Sequence, residues 1–156
     1  MARRTEPRRD VDDVAAAIAD GCVALRLRIV TRAVNAIYDE ALRGLGSTIG
    51  QLNLLVALSR MGEASPTRLG RALRLELSTL SRNLERMRAR GWIESVPSHD
   101  RAQRLRLTAA GRKLLVDAYP AWQQAQRDAR ALLGQATASA IGRASAKLRA
   151  AADRTS

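Results

Sequence analysis

The chain is predicted to be mainly α-helical with one small β-ribbon, an α+β arrangement, on three observations. Apolar residues recur at spacings of three and four over most of the length, the mark of amphipathic helices. Two short alternating runs, residues 92–96 (WIESV) and 104–108 (RLRLT), interrupt them and read as two strands around an exposed Pro-Ser-His-Asp-Arg tip. The composition agrees: 46% of the 156 residues are apolar, yet aromatics make up only 3% and Phe is absent. A core of Leu, Ile, Val and Ala suits packed helices better than a sheet sandwich.

Taken in order, residues 1–10 are Arg-rich, contain Pro7 and lack periodicity, so a disordered basic tail is expected. A single long helix is expected from Val11 to about residue 44. Val14, Ile18, Cys22, Leu25 and Ile29 form one stripe, and Val23, Leu27, Val30, Val34 and Tyr38 form a second. A helix that is apolar on two faces needs cover from two sides, one from its own domain and one from a partner chain. Gly44 and Gly46 end it.

Next comes a shorter helix from Gln51 to Met61, with Leu52, Leu55, Val56 and Leu58 directed inward. Ser65-Pro66 is a strong helix start, Ser at the N-cap and Pro at the first helical position. That helix runs to about Leu73. After the turn Arg74-Leu75-Glu76 another begins, with Leu77, Leu80, Leu84 and Met87 as its buried stripe and Gly91 as its stop. Thr108 is the expected N-cap of a long helix to about Leu133, kinked near Pro120, and an Ala-rich helix follows Gly134. The expected division is one domain over residues 11–156. Its lobe spans 48–108, with dimerisation helices at 11–44 and 109–153.

The formal net charge is +12, from 27 Lys and Arg against 15 Asp and Glu. Residues 60–113 hold thirteen of the cations and five of the acids, so this third of the chain carries most of the excess. A concentrated positive charge favours a polyanionic partner. No stretch approaches the roughly 20 apolar residues of a membrane span, and no secretory signal is recognisable, so a cytoplasmic location is the default. The lone Cys22 excludes an intrachain disulfide. With no nucleophile–base pair, paired carboxylates or phosphate loop, an enzyme is not expected, nor is a cofactor. His99 is the only histidine, so a metal site is not expected.

Two short helices joined by a tight turn and followed at once by a basic hairpin have the form of a winged helix-turn-helix. The second helix of such a pair lies in the major groove of duplex DNA. Setting aside its buried stripe leaves Ser78, Thr79, Arg82, Asn83 and Arg86. Arg suits guanine, Asn suits adenine, and Ser and Thr suit phosphates or either base type. Ser65, Thr67 and Arg68 at the start of the first helix, with Arg101 and Arg104 on the hairpin, complete the expected contact set.

These segments resemble the MarR family of bacterial regulators over nearly the whole chain. The resemblance rests on Gln51-Leu52-Asn53-Leu54-Leu55, Ser78-Thr79-Leu80-Ser81-Arg82 and Arg88-Ala89-Arg90-Gly91-Trp92. It rests most specifically on His99-Asp100-Arg101-Ala102 followed by Leu107-Thr108-Ala109-Ala110-Gly111. It implies a homodimer built on the first and last helices, bound to a pseudo-palindromic operator and probing the minor groove with Arg101. His99 stands where the family usually has the first Asp of its wing motif, and Glu76 where it prefers an Asp N-cap.

The resemblance further implies a repressor released by a small aromatic or anionic effector, with Arg26, Arg32, Tyr38 and Trp122 as bordering candidates. Two alternatives stay open. One is oxidant sensing through Cys22, although that residue lies two positions upstream of where the family's sensing cysteine aligns. The other is an architectural protein that coats DNA without reading sequence.

Overall fold

The computed structural model describes residues 10–97 and 103–153. They fall into two units, residues 1–35 and 36–156, each taken by itself below.

The first unit is helical. Helix α1 (Val11–Gly21) is capped by the Asp10 carboxylate, which accepts from the Asp12 amide, and carries Asp12 and Asp13 in its first turn. Both carboxylates favour the positive end of the helix dipole. The expected single helix is broken at Cys22, whose backbone is extended (φ −72°, ψ 107°), and α2 (Val23–Leu42) begins afresh. Gly21 is a poor helix interior residue, and Cys22 serves both new ends. Its N–H donates to the Ile18 carbonyl (2.9 Å), its carbonyl accepts from Arg26 N–H (3.2 Å), and its Sγ accepts from the Leu25 amide (3.5 Å). Cys22 is thus a half-buried cap between two helices, not a member of one continuous stripe.

The second unit starts with the last turns of α2, where Tyr38 and Leu42 are buried. A 3-10 turn (Arg43–Leu45) and a left-handed Gly46 (φ 66°) lead to α3 (Ile49–Met61). This helix starts two residues earlier than expected because Thr48 and Gln51 form a reciprocal capping box. The Asp39 carboxylate also accepts from the Ile49 amide (2.7 Å). Leu54 is fully buried, whereas Val56, expected inward, is 43% exposed.

Next come β1 (Glu63–Ala64), α4 (Pro66–Leu73), α5 (Leu77–Ala89), β2 (Ile93–Val96) and β3 (Arg104–Leu107). The sheet has three strands in the order β1-β3-β2, not two, with both pairings antiparallel. A two-residue strand has no periodicity to detect. It is recruited by β3, whose Leu105 and Leu107 turn inward while Arg104 and Arg106 turn outward. Arg106 lies directly opposite Glu94 and pairs with it at 2.7 Å. The carboxylate's hydrogen bond raises the Arg106 pKa further above its ordinary value.

Leu54, Leu55, Leu58, Leu69, Leu80, Leu84, Met87, Trp92, Ile93, Leu105, Leu107 and Leu114 form one core beneath the sheet and helices. Leu77 does not join it: as the first residue of α5 it is 72% exposed, because the first turn projects past the core. Helix α4 packs closely on α5 through Gly70, where an added Cβ would lie 3.2 Å from Leu80. Between them Arg74 takes the left-handed conformation (φ 52°), and its guanidinium donates to the Leu148 carbonyl (3.1 Å).

Helix α6 (Ala109–Leu133) is continuous across Pro120, and α7 (Gln135–Asp153) follows after Gly134. The strand-to-helix junction explains the Leu-Thr-x-x-Gly spacing. Thr108 caps α6 by accepting from the Gly111 amide (3.1 Å), while its hydroxyl donates to the Gly91 carbonyl (2.6 Å) and its amide to the Trp92 carbonyl (3.1 Å). Gly111 then passes so near Trp92 that a Cβ would stand 2.1 Å from the Trp92 carbonyl oxygen.

Among the described residues no helix is long and apolar enough to cross a membrane, and no cluster of His, Cys, Asp or Glu could hold a metal ion.

Candidate nucleic-acid interface

Ser65 caps α4 through a bond from the Arg68 amide (3.2 Å), and Pro66 supplies a preset φ at the first helical position. Ser65 is therefore half-buried and engaged, while Thr67 and Arg68 project from the first turn. The turn at Arg74 then reverses the chain into α5.

On α5, Leu80, Leu84 and Met87 face the core. At about 100° per residue, Ser78, Arg82 and Arg86 fall on the far side, and all three are exposed, as is Thr79. Asn83 lies at the half-buried edge of this row, its carboxamide donating to the Thr79 carbonyl (2.9 Å). The Arg82 Nε donates to the Ser78 carbonyl (3.2 Å), which holds the base of that side chain against the helix. Glu76 sits at the N-cap without a side-chain bond to the helix, as its length predicts. The α5 N-terminus thus keeps uncapped N–H donors beside exposed Ser78 and Thr79, an arrangement suited to phosphate.

Beyond α5, β3 turns Arg104 and Arg106 to the outer face of the sheet. Arg101 lies outside the described residues, with His99 and Asp100. Sequence reasoning passed over Arg88. It lines a groove of about 260 Å³ with Pro66, Leu77, Ser81, Glu85 and Gln103, and its Nε and Nη2 are buried without a hydrogen-bond partner among the described residues. Its position four residues after Leu84 sets it at the edge of the buried stripe, unlike Arg82 and Arg86, and that spacing was the signal that could have found it.

The expected effector residues divide. Trp122 lines a cleft of about 230 Å³ between α3 and α6, with Leu52, Asn53, Val56, Leu115, Ala118 and Tyr119. Tyr119 and Trp122 stack with centroids 5.9 Å apart and planes 14° from parallel. Their i, i+3 spacing in a helix was a usable sequence signal for Tyr119. Tyr38 is buried outside this cleft, its hydroxyl donating to Gln126 Oε1. Burial raises the Tyr38 pKa, and the Arg130 charge partly opposes the rise. Arg26 and Arg32 belong to residues 1–35 and are exposed, Arg26 donating to the Asp20 carbonyl.

Residues 44–103 match the sequence profile of the MarR family. Comparison with curated proteins gives no match. Among solved structures, the M. tuberculosis transcriptional regulator MosR is 31% identical at a TM-score of 0.72, covering 86% of this chain and 98% of its own. Bordetella bronchiseptica BpsR, whose DNA binding is regulated by 6-hydroxynicotinic acid, is 24% identical (TM-score 0.70; 83% and 95% covered). A mutant MarR from E. coli complexed with operator DNA is 19% identical (TM-score 0.72; 90% and 99% covered). With the helix pair, the three-stranded wing sheet and the flanking helices in place, the chain belongs to the MarR family of winged helix-turn-helix transcriptional regulators.

Proposed function

We propose that this chain binds a pseudo-palindromic duplex DNA site as a homodimer, through a lobe at 48–108 and dimerisation helices at 11–44 and 109–153. In this reading it represses transcription until a small molecule releases it. The observation that carries the reading is the exposed row Ser78, Thr79, Arg82 and Arg86 on the side of α5 opposite its buried leucines. A helix so divided can lie in the major groove while its other face stays in the core. Thr67, Arg68, Arg104 and the wing Arg101 would add phosphate and minor-groove contacts, which position the protein without reading sequence.

Two further observations support the dimer and the control. Val11, Ile18, Val23, Leu27 and Ile29 are exposed on α1 and α2, and a soluble helix keeps such a surface when another chain covers it. Two-fold symmetry would then set two α5 helices about 34 Å apart, one helical turn of DNA. The cleft between α3 and α6 offers an effector a place from which to favour one dimer geometry over another. The operator complex of the E. coli relative and the 6-hydroxynicotinic acid control of BpsR have the same outline.

Selection of sites from random duplex DNA tests this directly. The selected site should bind about 10³-fold or more tightly than random DNA. Arg82→Ala should cost about 1–3 kcal/mol and flatten preference at one base position, whereas Arg101→Ala should weaken all sites alike. Selection that yields no preferred site would instead favour the architectural, charge-driven alternative. An Arg82→Ala protein that binds like wild type would remove α5 from the groove.

A further inference from the structure

We propose that Arg88 binds a phosphate of the DNA strand that divides the major from the minor groove, in the groove between α5 and the start of β3. The proposal deepens the DNA-binding reading above and rests on it for the placement of α5. It adds a contact that neither the exposed row on α5 nor the outer face of the sheet supplies.

Arg88 lies about 120° around α5 from Arg82 and about 40° from the buried Leu84, so it cannot join the row that faces base edges. It lines instead the groove of about 260 Å³ on the flank of the helix, shared with Pro66, Ser81, Glu85 and Gln103. Two of its nitrogens, Nε and Nη2, are closed off from water and bond to nothing among the described residues. These two carry the parallel N–H bonds of one guanidinium edge, the fork that matches two oxygens of a phosphate. An ionised donor pair buried without an acceptor is costly, so an acceptor entering the groove gains by drawing the flexible side chain into it. Glu85 does not fill this role: it is exposed, accepts from neither nitrogen, and repels a phosphate only through screening solvent. The Gln103 carboxamide is committed to Ser95 Oγ (3.3 Å). The Ser81 hydroxyl, two helical turns before Arg88 on the same side, adds a neutral donor, and Pro66 sets the positive end of α4 beside the groove.

The occupant follows from the placement of the helix. A lobe with α5 in the major groove and its hairpin at the adjacent minor groove straddles the single sugar-phosphate strand between them. The space between α5 and the start of β3 lies where that strand passes. A phosphodiester carries no sequence information, so Arg88 fixes the register of the lobe while Arg82 and Arg86 face the bases. The test measures binding of the full chain to its selected site and to random duplex of equal length, by fluorescence anisotropy over a series of KCl concentrations. Arg88→Met keeps the length of the side chain and removes the charge. It should weaken both duplexes alike, by about tenfold or more at 0.1 M salt. The slope of log affinity against log salt should become shallower by about 0.9 per phosphate, hence about 1.8 for a dimer on a full site. Its urea midpoint should not fall, because a charge without a partner leaves the interior. Arg88→Lys keeps the charge and loses the fork, so it should keep the slope and still bind both duplexes more weakly.

An unchanged slope in Arg88→Met overturns the proposal, and so does full affinity in Arg88→Lys. A lowered urea midpoint with an unchanged slope would make Arg88 a packing residue. If inorganic phosphate raises the urea midpoint of the unmodified chain above that in chloride of equal ionic strength, while the Arg88→Met slope is unmoved, the fork serves a free anion, which also overturns it. The unmodified chain separates the two readings. If it binds no duplex, the placement of α5 in the major groove fails; if it binds and the variants leave the slope and affinity unmoved, only the contact by Arg88 fails.

Discussion

Residues 36–156 and residues 10–35 are built from the same few apolar residue types but use them differently. In the larger unit, Leu54, Leu55, Leu58, Leu69, Leu80 and Leu105 are sealed from water by elements of the same chain. In the smaller one, no described residue is fully buried, and Val11, Ile18, Val23, Leu27 and Ile29 stand open to solvent. Local helix signals are sound in both: Asp10 caps α1 as clearly as Thr108 caps α6. The difference teaches that amphipathic periodicity reports a surface that needs covering, and does not say which chain covers it.

The most forceful way to sharpen this comparison is at Gly111. Alanine there would set its Cβ 2.1 Å from a backbone oxygen of Trp92, so the start of α6 and the end of the sheet could not both keep their places. We expect Gly111→Ala to cost about 3 kcal/mol or more, read as a fall in the urea midpoint at constant slope. Gly142→Ala in α7 meets nothing within 4 Å and should instead stabilise by about 0.5–1 kcal/mol. Similar behaviour of the two variants would show that the junction yields.

The complementary experiment breaks the other side of the comparison. Ile18→Asp with Ile29→Asp places two carboxylates on the exposed surface of α1 and α2. The folded lobe should be untouched, while the dimer dissociation constant rises by at least about tenfold, or about 1.4 kcal/mol. Sedimentation at several concentrations reads this. An unchanged mass would mean that a second copy does not cover these side chains.

The smallest effect belongs to Tyr38. Its pKa is raised in the folded chain, first through burial, above its ordinary value of 10.0. The folded state therefore holds the phenolic proton more tightly than the unfolded state does. This contribution is complete below the unfolded value and is lost as pH rises through the folded one. Stability should decline above about pH 10, and Tyr38→Phe should flatten that decline. A Phe variant with the same alkaline slope would assign it to other groups.

Much of the lobe was legible because its signals are local. Ser65-Pro66 opens α4, and Gly62 and Gly91 close their helices with positive φ, as a residue without Cβ readily does. The exposed row on α5 followed from subtracting every third or fourth leucine. The misreadings share another cause. Leu77 fits the stripe by spacing but sits past the end of the core, and Val56 fits an apolar helix but borders a cleft. Spacing gives direction around a helix and no information on how far the neighbouring elements extend.

Helix α5, the turn before it and the alternating strands β2 and β3 were thus determined by residues close together in the chain, whose steric and capping preferences act over a few positions. Three features depended on segments far apart in sequence. The third strand forms because Ala64 meets Leu105, the aromatic cleft because α3 lies against α6, and the tie from Arg74 to Leu148 because α7 returns to the helix-turn-helix. Tertiary packing alone decides these, since each is a contact whose partner has no local signature.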